Sequence, residues 1–414
     1  MLRSPALKVS DWESIVLEDY TQTEDDGHDV ISLGISHGDG TLHIGFDQHD
    51  NPLNYRVSLP GVASNPQFTA WSRDIFGPRL DHLPGLEGLE KSIYFVNVTY
   101  PRFLSLPRIL NTTADLLLEM RVGRSGLGDD WLYRYTPGVG WELIGKYLEG
   151  VNNNAYINGL DFDLFGNLHV TWTYRDYVND TGQDVAVQAG PNGPENNHDM
   201  DFAFSPDLGL SWLNTWNQPI SNVSSGNPIV PTSPGITIFS IPKYGGILNQ
   251  ESQTVDLEGR VHILNRENTT GLERWYHYWR RPAPSHFWTR GPLPLSPALA
   301  TVNNITDTPT VIGKRGKLFS QTNPPKSSPS SNFSSGTILY AILPSNAPNS
   351  TAFSILSSTS GADFNDWKVE WEAKSGCGWE PLFDRYRLTD PEEDGVLSIY
   401  VVDEGEVKVL DFEL

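Results

Sequence analysis

The sequence is poor in cysteine, in basic residues and in long apolar runs. A single cysteine, Cys377, among 414 residues excludes an internal disulfide, and we expect it to be a buried packing thiol. The 29 lysines and arginines are outnumbered by 51 aspartates and glutamates, and the net charge of −22 makes nucleic acid a poor partner. No apolar run approaches the length needed to span a bilayer, so no membrane partner is predicted.

Amphipathic helical periodicity is also missing, and short strand-like segments recur in its place. One half of the recurring unit is a turn followed by a strand of the form G-x-[LV]-H-[IV]. The other half is an aromatic or alternating strand that ends near a tryptophan. The first half occurs as GTLHIGF at 40–46, GNLHVTW at 166–172, GRVHILN at 259–265 and, in a weaker copy, GKLFSQ at 316–321. Strand, turn, strand and tryptophan, repeated about every 45 to 60 residues, predict the blades of a β-propeller.

Dividing the chain length by a blade of about that size predicts a single all-β domain over residues 1–414, a seven-bladed β-propeller of four-stranded antiparallel blades. The octapeptide SPDLGLSW, Ser205 to Trp212, fits the Asp-box pattern S-x-D-x-G-x-[ST]-W. We expect Asp207 to cap backbone amides, Gly209 to take a positive φ and Trp212 to pack between blades. An Asp box is a turn, so we assign it to the fold and not to the chemistry.

Asparagines at the head of N-x-[ST] triplets are more frequent than chance predicts for this composition. They are Asn97, Asn111, Asn179, Asn222, Asn268, Asn304, Asn332 and Asn349. We therefore predict a secreted glycoprotein with these side chains mainly on exposed loops. The first residues, MLRSPALKVSDW, include no hydrophobic segment, so we expect a signal peptide to precede them in the precursor.

The histidines fall into two groups. His43, His169 and His262 occupy the same position of the recurring strand, and a residue that recurs with a repeat is more often structural. His28 in GHD and His49 in DQHD do not recur, and they lie at strand ends or loops, where propellers present residues to one mouth of the central channel. Each alone would be a satisfied surface histidine. No cysteine or clustered carboxylate accompanies them at metal-ligand spacing, so we predict no catalytic metal.

The stretch GHDVISLGISHGDGTLHIGFDQHDNPLNYRVS at 27–58 resembles the opening of the BNR-type propeller polysaccharide lyases. These include the ulvan lyases and the fungal L-rhamnose-α-1,4-D-glucuronate lyases that act on gum arabic side chains. The resemblance continues in the family's order through VTYPRF at 98–103 and LLLEMRVGRSGLGDDWLYRY at 116–135, as far as YHYWRRP at 276–282. It implies a seven-bladed propeller with the active site at one face of the channel, which agrees with the repeat pattern.

Residue by residue, the resemblance implies the following roles. His49 matches the family's catalytic histidine, and His28 matches its companion, which orients or assists. Tyr100 in VTYP matches the catalytic tyrosine. Arg121 in EMRVGRSG matches the arginine that binds the uronate carboxylate. The further substrate-binding candidates are Tyr156 in NAYING and Arg175 in TYRD.

The chemistry of β-elimination requires these residue types. The reaction removes the C5 proton of a uronate and expels the group on C4, and it proceeds only when the neighbouring carboxylate is neutralised. An always-charged, bidentate guanidinium such as that of Arg121 suits this task. In glucuronate the C5 proton and the C4 oxygen lie on one ring face, so Tyr100 and His49 can divide the acid and base roles, in either order. A tyrosine base would need a lowered pKa, for which Arg121 is a candidate cause.

The expected substrate is a uronate-containing plant or algal polysaccharide. A protein with a net charge of −22 would repel a dense polyanion, so we expect action on rhamnosyl-glucuronate ends rather than endo cleavage of a sulfated polymer. We expect a monomer that needs no cofactor for catalysis, and a structural divalent ion in the propeller channel is compatible with this prediction.

Two other functions stay open. A glycoside hydrolase on the same scaffold, either an α-L-rhamnosidase or sialidase-like, is the enzymatic alternative, although the arginine triad and the Tyr–Glu pair of sialidases cannot be assembled from this sequence. A non-catalytic, lectin-like propeller would need only Asp boxes and aromatic residues. It would leave His28, His49, Tyr100 and Arg121 unexplained.

Overall fold

Short strands dominate the computed structural model of the chain. The residues that the structure describes are 14–22, 24–107, 110–124, 126–151, 153–176, 196–271, 274–281, 285–294, 314–321, 336–345, 349–389 and 396–413. The strands are β1 Ser32–Ile35, β2 Leu42–Gly45, β3 His49–Asn51, β4 Tyr55–Val57, β5 Val98–Ser105, β6 Leu116–Val122, β7 Asp129–Thr136, β8 Gly140–Leu148, β9 Asn153–Phe162, β10 Leu168–Asp176, β11 Asn197–Ser205, β12 Ser211–Leu213, β13 Pro219–Asn222, β14 Thr237–Phe239, β15 Ser252–Val255, β16 Val261–Glu267, β17 Arg274–Arg280, β18 Trp288–Pro292, β19 Lys317–Gln321, β20 Ile338–Pro344, β21 Phe353–Thr359, β22 Lys368–Ala373, β23 Leu382–Phe383, β24 Val396–Asp403 and β25 Glu406–Glu413.

Helices are few and short in the described part of the chain. The α-helices are α1 Lys91–Tyr94 and α2 Arg385–Thr389, and the 3-10 helices are Pro66–Phe68, Arg73–Ile75, Val223–Ser225 and Ser360–Ala362. None of the helices among the described residues has the length and apolar character required to cross a membrane.

In the described part of the chain the strands form an all-β propeller of six sheets, not the predicted seven. In spatial order they are β1-β2-β4, β3-β5-β6-β7-β8, β13-β12-β11-β10-β9 with β14 beside β11, β15-β16-β17-β18, β19-β20-β21-β22 and β23-β24-β25. Every pairing between these strands is antiparallel, as predicted. Two of the six sheets contain the predicted four strands.

The count of seven was wrong because division of the chain length assigns every residue to a blade. Residues 58–97, between β4 and β5, hold two 3-10 helices and α1 but no strand. This connection has about the length of one blade. The second sheet also contains the additional strand β3, which precedes β4 in the sequence. Connections and unequal sheets therefore use the residues that the calculation assigned to a seventh blade.

The hydrophobic core lies between the faces of neighbouring sheets. Leu117 and Leu132 of the second sheet pack in one cluster with Val170 and Trp172 of the third sheet. A second cluster joins the fifth and sixth sheets, and a third joins the fourth and fifth. Strands β9, β15 and β19, from three consecutive sheets, are direct neighbours. Face-to-face packing of successive antiparallel sheets is the arrangement that defines a propeller.

The three histidines of the repeat are structural, as predicted. His43, His169 and His262 lie in β2, β10 and β16, and all three are buried. His169 Nε2 lies 3.1 Å from the turn carboxylate of Asp163, and His262 Nε2 lies 3.2 Å from that of Asp256. In each of these two turns the aspartate also accepts backbone N–H bonds. His169 and His262 therefore each tie their strand to the turn that precedes it.

The Asp box has the geometry that its sequence predicts. Asp207 accepts a hydrogen bond from the Ser211 amide at 2.8 Å, and Gly209 has a φ of 92°. Trp212 is fully buried and stacks on Tyr147 of the neighbouring second sheet, with ring centroids 5.1 Å apart. The motif therefore fixes a turn and fills the space between two sheets.

Cys377 is buried, whereas the described asparagines of the N-x-[ST] triplets are not. Cys377 is a free, buried thiol whose Sγ lies 3.0 Å from the Trp379 carbonyl, and burial raises the pKa of the thiol to about 12. Of the eight asparagines, Asn179, Asn304 and Asn332 lie outside the described residues. None of the other five is buried, and the exposed ones are Asn111, Asn222 and Asn349.

Candidate active site

Two facing irregularities in the second sheet position His49 and Tyr100. His49 of β3 is paired with Thr99 of β5, and the register shifts immediately after this pair on both strands. At the shifts, Asp50 has a φ of 60° and Tyr100 a φ of 55°. Such values are uncommon outside glycine and strained for a bulky residue, and Tyr100 precedes Pro101, which restricts it further. β-bulges re-aim side chains in this way near active sites.

Thr99 holds the two irregular strands together. The Asp50 amide donates a hydrogen bond to Thr99 Oγ1 at 2.9 Å, and Thr99 Oγ1 donates to Asp50 Oδ1 at 3.2 Å. The same carboxylate oxygen accepts a hydrogen bond from Arg121 Nη2 at 3.3 Å. Because Thr99 is fully buried, this small network stabilises a backbone conformation that would otherwise relax.

His28 and His49 form a stacked pair that shares one carboxylate. Their ring centroids are 4.2 Å apart, with an interplanar angle of 21°. His28 Nδ1 lies 2.5 Å from Asp26 Oδ1, and His49 Nδ1 lies 2.7 Å from Asp26 Oδ2. Burial opposes the charge on Asp26, but the bonds from the His28 amide and from both imidazoles lower the pKa of the carboxyl to about 2. Burial in turn lowers the pKa of His28.

Tyr100 and Arg121 lie against this pair. The Tyr100 ring centroid is 6.3 Å from that of His28 and 6.1 Å from that of His49, and the Arg121 guanidinium carbon lies 5.2 Å from the Tyr100 centroid. The structure therefore brings together all four predicted catalytic residues, although they come from a loop and three strands. Arg121 is 2% exposed, and its Nε and Nη1 atoms have no hydrogen-bond partner among the described residues.

The two further substrate-binding candidates extend the same site. The Tyr156 ring lies between two cations, 5.6 Å from the Arg121 guanidinium carbon and 4.6 Å from that of Arg175. Arg175 is held by Asn197 Oδ1 at 2.8 Å and by Asn249 Oδ1 at 2.7 Å. Arg175 therefore has a fixed position, and Tyr156 separates it from Arg121.

Several residues of the site were not predicted from the sequence. Asp26 bridges the histidines, and Asp50 pairs with Arg121. Arg315 donates to the Asn249 carbonyl at 2.8 Å and interacts electrostatically with Tyr100 and His28. The DDGHD sequence around His28 was the available signal for Asp26. Arg315 follows a sequence stretch without a motif, so only the fold reveals it.

The pKa of Tyr100 moves in the direction opposite to the one that a tyrosine base requires. Burial raises the pKa of the phenol, and this exceeds the lowering by Arg121, Arg315 and Arg175. Arg121, the candidate cause of a lowered pKa, does act in the lowering direction, but the burial of the ring has the larger effect. In the unliganded protein Tyr100 holds its proton.

A buried carboxyl pair lies behind Arg121. Glu119 and Asp130 line a small cavity with Tyr100, Arg121 and Tyr156. Burial raises the pKa of Glu119 to about 7 and raises that of Asp130 well above its usual value. The two carboxyl groups hydrogen-bond each other, which disfavours a charge on both.

One group among the described residues brings three metal-ligating side chains together, and it is Asp26, His28 and His49. Two ligands of a tetrahedral zinc would lie about 3.3 Å apart, given metal–ligand distances of about 2.0–2.1 Å. The separations of 2.5 and 2.7 Å between Nδ1 and carboxylate oxygen atoms are shorter and match hydrogen bonds. The arrangement thus fits a hydrogen-bonded triad better than a metal centre.

The profile of the BNR repeat-containing family matches residues 2–294, and the chain belongs to this family. A relative at the sequence level is the long isoform of an ulvan lyase from Pseudoalteromonas sp. (strain PLSV), which is 24% identical over 282 residues. That match covers 60% of this chain and 26% of the relative. The chain thus spans about a quarter of the length of the curated relative.

Two solved structures share the fold. The polysaccharide lyase Uly1 aligns with a TM-score of 0.60 and 16% identity, over 93% of this chain and 77% of that one. The α-L-arabinofuranosidase Arb93A from Fusarium graminearum aligns with a TM-score of 0.50 and 10% identity, over 94% and 93%. At these identities the likeness shows the propeller fold alone. Because the two named activities differ, the chemistry has to be inferred from the site.

Proposed function

We propose that the chain is a polysaccharide lyase that cleaves a 4-linked glucuronate by β-elimination. The observation that carries the proposal is the buried guanidinium of Arg121, whose Nε and Nη1 atoms lack partners among the described residues beside Tyr100. Buried donors without partners are costly, and a carboxylate that accepts from Nη2 together with one of these two atoms would reduce this cost. The sequence relationship to an ulvan lyase supports the same reaction class.

In the proposed elimination, one side chain of the protein acts at each reacting group of the substrate. Arg121 neutralises the uronate carboxylate, which makes the C5 proton acidic enough to remove. An imidazole Nε2 takes that proton, the C4–O4 bond breaks, and O4 receives the proton of Tyr100. The products are a C4–C5 unsaturated uronate and the released sugar hydroxyl. The imidazolium then returns its proton to the Tyr100 phenolate, which restores the starting state.

The raised pKa of Tyr100 supports a division in which the tyrosine is the acid and a histidine is the base. A phenol that keeps its proton in the resting site suits the role of acid toward the leaving oxygen. His49 is the proposed base, and His28 assists it through the stacked contact and the shared carboxylate. The two catalytic rings lie side by side, which fits removal of groups from one face of glucuronate.

The proposed substrate is a rhamnosyl-glucuronate end of an arabinogalactan-type glycan such as gum arabic. The chain carries a net charge of −22, but Arg121, Arg175 and Arg315 concentrate positive charge around Tyr156 and Tyr100. A compact basic site in an acidic protein suits one terminal uronate better than a long polyanion. We extend the proposal to a secreted, glycosylated monomer in which residues 1–414 form one catalytic domain. It would need no cofactor for catalysis, and a structural divalent ion in the channel remains compatible with it.

Hydrolysis by most glycosidases needs two carboxyl groups that flank the glycosidic bond, whereas a sialidase-like enzyme uses a tyrosine with a glutamate. The carboxyl groups of Glu119 and Asp130 are buried and hydrogen-bonded to each other behind Arg121. Such a pair cannot lie on both sides of a substrate. A lectin would bind sugar without any use for the stacked histidines.

The deciding experiment is product analysis after incubation with gum arabic and, separately, with ulvan. We expect ultraviolet absorbance from the conjugated C4–C5 double bond, with release of rhamnose from gum arabic. Rhamnose without the chromophore would mean hydrolysis, and binding without any product would mean a lectin. A chromophore from ulvan alone would retain the lyase and reject the proposed substrate.

A further inference from the structure

We propose that Asp26 is a positioning residue that fixes both histidines in one tautomer, with each Nδ1–H directed at its carboxylate and each Nε2 unprotonated. The catalytic consequence rests on the proposed function, whereas the tautomers do not. No motif of the sequence indicated that one carboxylate serves two imidazoles. The proposal assigns a role to Asp26 that goes beyond His49, His28, Tyr100 and Arg121.

The hydrogen-bond geometry supports this assignment. Each oxygen of Asp26 contacts a different ring, Oδ1 at 2.5 Å from His28 Nδ1 and Oδ2 at 2.7 Å from His49 Nδ1. An ionised carboxylate accepts hydrogen bonds and donates none, so both ring nitrogens must carry the proton of their bond. Neutral imidazole has one N–H, and both Nε2 atoms are therefore acceptors. Neither has a hydrogen-bond partner among the described residues.

The stacking adds a limit on the charge of the triad. Rings 4.2 Å apart cannot both become cationic without strong repulsion, and one carboxylate compensates only one positive charge. The triad therefore accepts one proton, and Asp26 stabilises the imidazolium that forms when C5 loses its proton. Asp26 also fixes the orientation of the His28 ring. His28 assists His49 by keeping this fixed position in the stacked pair.

Three other titratable groups among the described residues lie near the triad. Asp29 lies near Asp26, and Arg315 and Tyr100 lie near His28. Burial and Arg315 both oppose a positive charge on His28, which agrees with His49 as the base.

The first measurement uses the whole protein without substrate. Long-range nitrogen–proton correlations on ¹⁵N-histidine-labelled protein report the tautomer of each ring, and His28→Gln and His49→Gln identify the two sets of signals. We expect both rings to carry the proton on Nδ1 at neutral pH. Either ring with its proton on Nε2 would overturn the proposal, whether or not the protein is a lyase.

The second measurement uses Asp26→Asn. We expect kcat to fall about 100-fold with KM changed less than about twofold, because Asp26 lies behind the rings and not against substrate. The acid limb of the pH profile of kcat/KM should move down by about one unit, since the carboxylate no longer stabilises the imidazolium. An unchanged pH profile would mean a merely structural role for Asp26 and would reject the proposal.

The matched control is Asp81→Asn. Asp81 also pairs with a histidine, since its Oδ1 lies 3.0 Å from His82 Nδ1, but both residues lie in the connection between β4 and β5. We expect unchanged kcat, KM and pH profile. Stoichiometric zinc in the purified wild-type protein, lost in Asp26→Asn, would also overturn the proposal, because the triad would then be a metal site. If the wild-type tautomers are as expected but no substrate yields a chromophore, the tautomer assignment stands and the proposed function fails.

Discussion

The repeat histidines and the paired histidines use the same chemistry in opposite ways. His169 and His262 contact turn carboxylates through Nε2, at 3.1 and 3.2 Å, and both rings are buried. His28 and His49 contact Asp26 through Nδ1, and their side chains stay 23% and 21% exposed. The first arrangement buries the Nε2 atom at the end of the ring in the fold. The second leaves that atom without a hydrogen-bond partner among the described residues.

This difference shows how a propeller separates stability from chemistry. An aspartate–histidine pair that recurs with the strand pattern stabilises a turn in the third and fourth sheets. The pair at the second sheet does not recur, and it depends on backbone irregularities at Asp50 and Tyr100. The two groups of histidines share a residue type. They differ in their burial, in which ring nitrogen contacts the carboxylate, and in the strain of the nearby backbone.

The largest expected effect comes from two tyrosines that each lie beside a histidine. Tyr100→Phe should lower kcat about 1,000-fold with little change in melting temperature, because it removes a proton donor and no packing. Tyr55→Phe is the matched control, since the Tyr55 hydroxyl lies 2.6 Å from buried His43 Nδ1. It should cost about 2 kcal/mol of stability and leave kcat per folded molecule intact. Equal kinetic losses in the two variants would remove the distinction.

The histidines themselves give the next effect. His49→Ala should lower kcat about 100-fold and leave thermal unfolding nearly unchanged, because the ring is partly exposed. His262→Ala should do the reverse and destabilise the protein by about 3 kcal/mol, because it leaves a cavity and strands the buried Asp256 and His277. Calorimetry measures the stability of both variants and initial rates measure their kcat, so the two measurements show which variant loses stability and which loses activity. A stable, active His262→Ala would contradict the structural role.

Two buried arginines extend the same test. Arg121→Lys should lower kcat/KM about 50-fold, because a point charge loses the bidentate contact to a carboxylate. Arg266, also almost fully buried, donates two hydrogen bonds to Glu251 Oε1 at 2.9 and 2.7 Å. Arg266→Lys should therefore reduce the unfolding free energy and spare kcat/KM. Should Arg121→Lys keep its kcat/KM, the carboxylate lies elsewhere.

The smallest effect contrasts two carboxyl groups. Burial raises the pKa of Glu119 to about 7, from an ordinary value of 4.5, so the folded protein keeps a proton that the unfolded chain releases. This group stabilises the fold at low pH, and its contribution decreases as pH rises toward 7. Asp26, with a pKa of about 2, does the opposite and loses its contribution only as pH falls toward 2. Glu119→Gln should therefore gain melting temperature relative to wild type between pH 5 and about 8, and a constant difference would contradict the assignment.

Local patterns in the sequence predicted much of the fold and of the site. The G-x-[LV]-H-[IV] strands and the Asp box predicted an antiparallel propeller. Short motifs predicted His49, Tyr100 and Arg121 as site residues, and the fold brings these side chains together. The predicted number of sheets was wrong because the connection at 58–97 contains no strand, and the length of the chain cannot show this. Likewise, Arg315 could be found only from the fold, because it lies just before β19 and belongs to no motif.

The direction of the Tyr100 pKa could not be predicted for a related reason. The sequence shows that an arginine lies nearby, which lowers the pKa of a phenol, but it does not show how far the ring is desolvated. The second effect is larger here. Identity of neighbours can be read from motifs, whereas the extent of burial depends on the closure of all six sheets.

The contact between Gly27 and Trp379 has a consequence for how the protein is made. A Cβ atom on Gly27 would collide with the Trp379 ring, so the residue beside His28 packs directly on a segment near the far end of the chain. Contacts between positions so distant in sequence form late, because the entropy of a long loop must be lost first. A chain emerging from the ribosome would therefore complete the packing around Gly27 only after the segment at Trp379 has been synthesised.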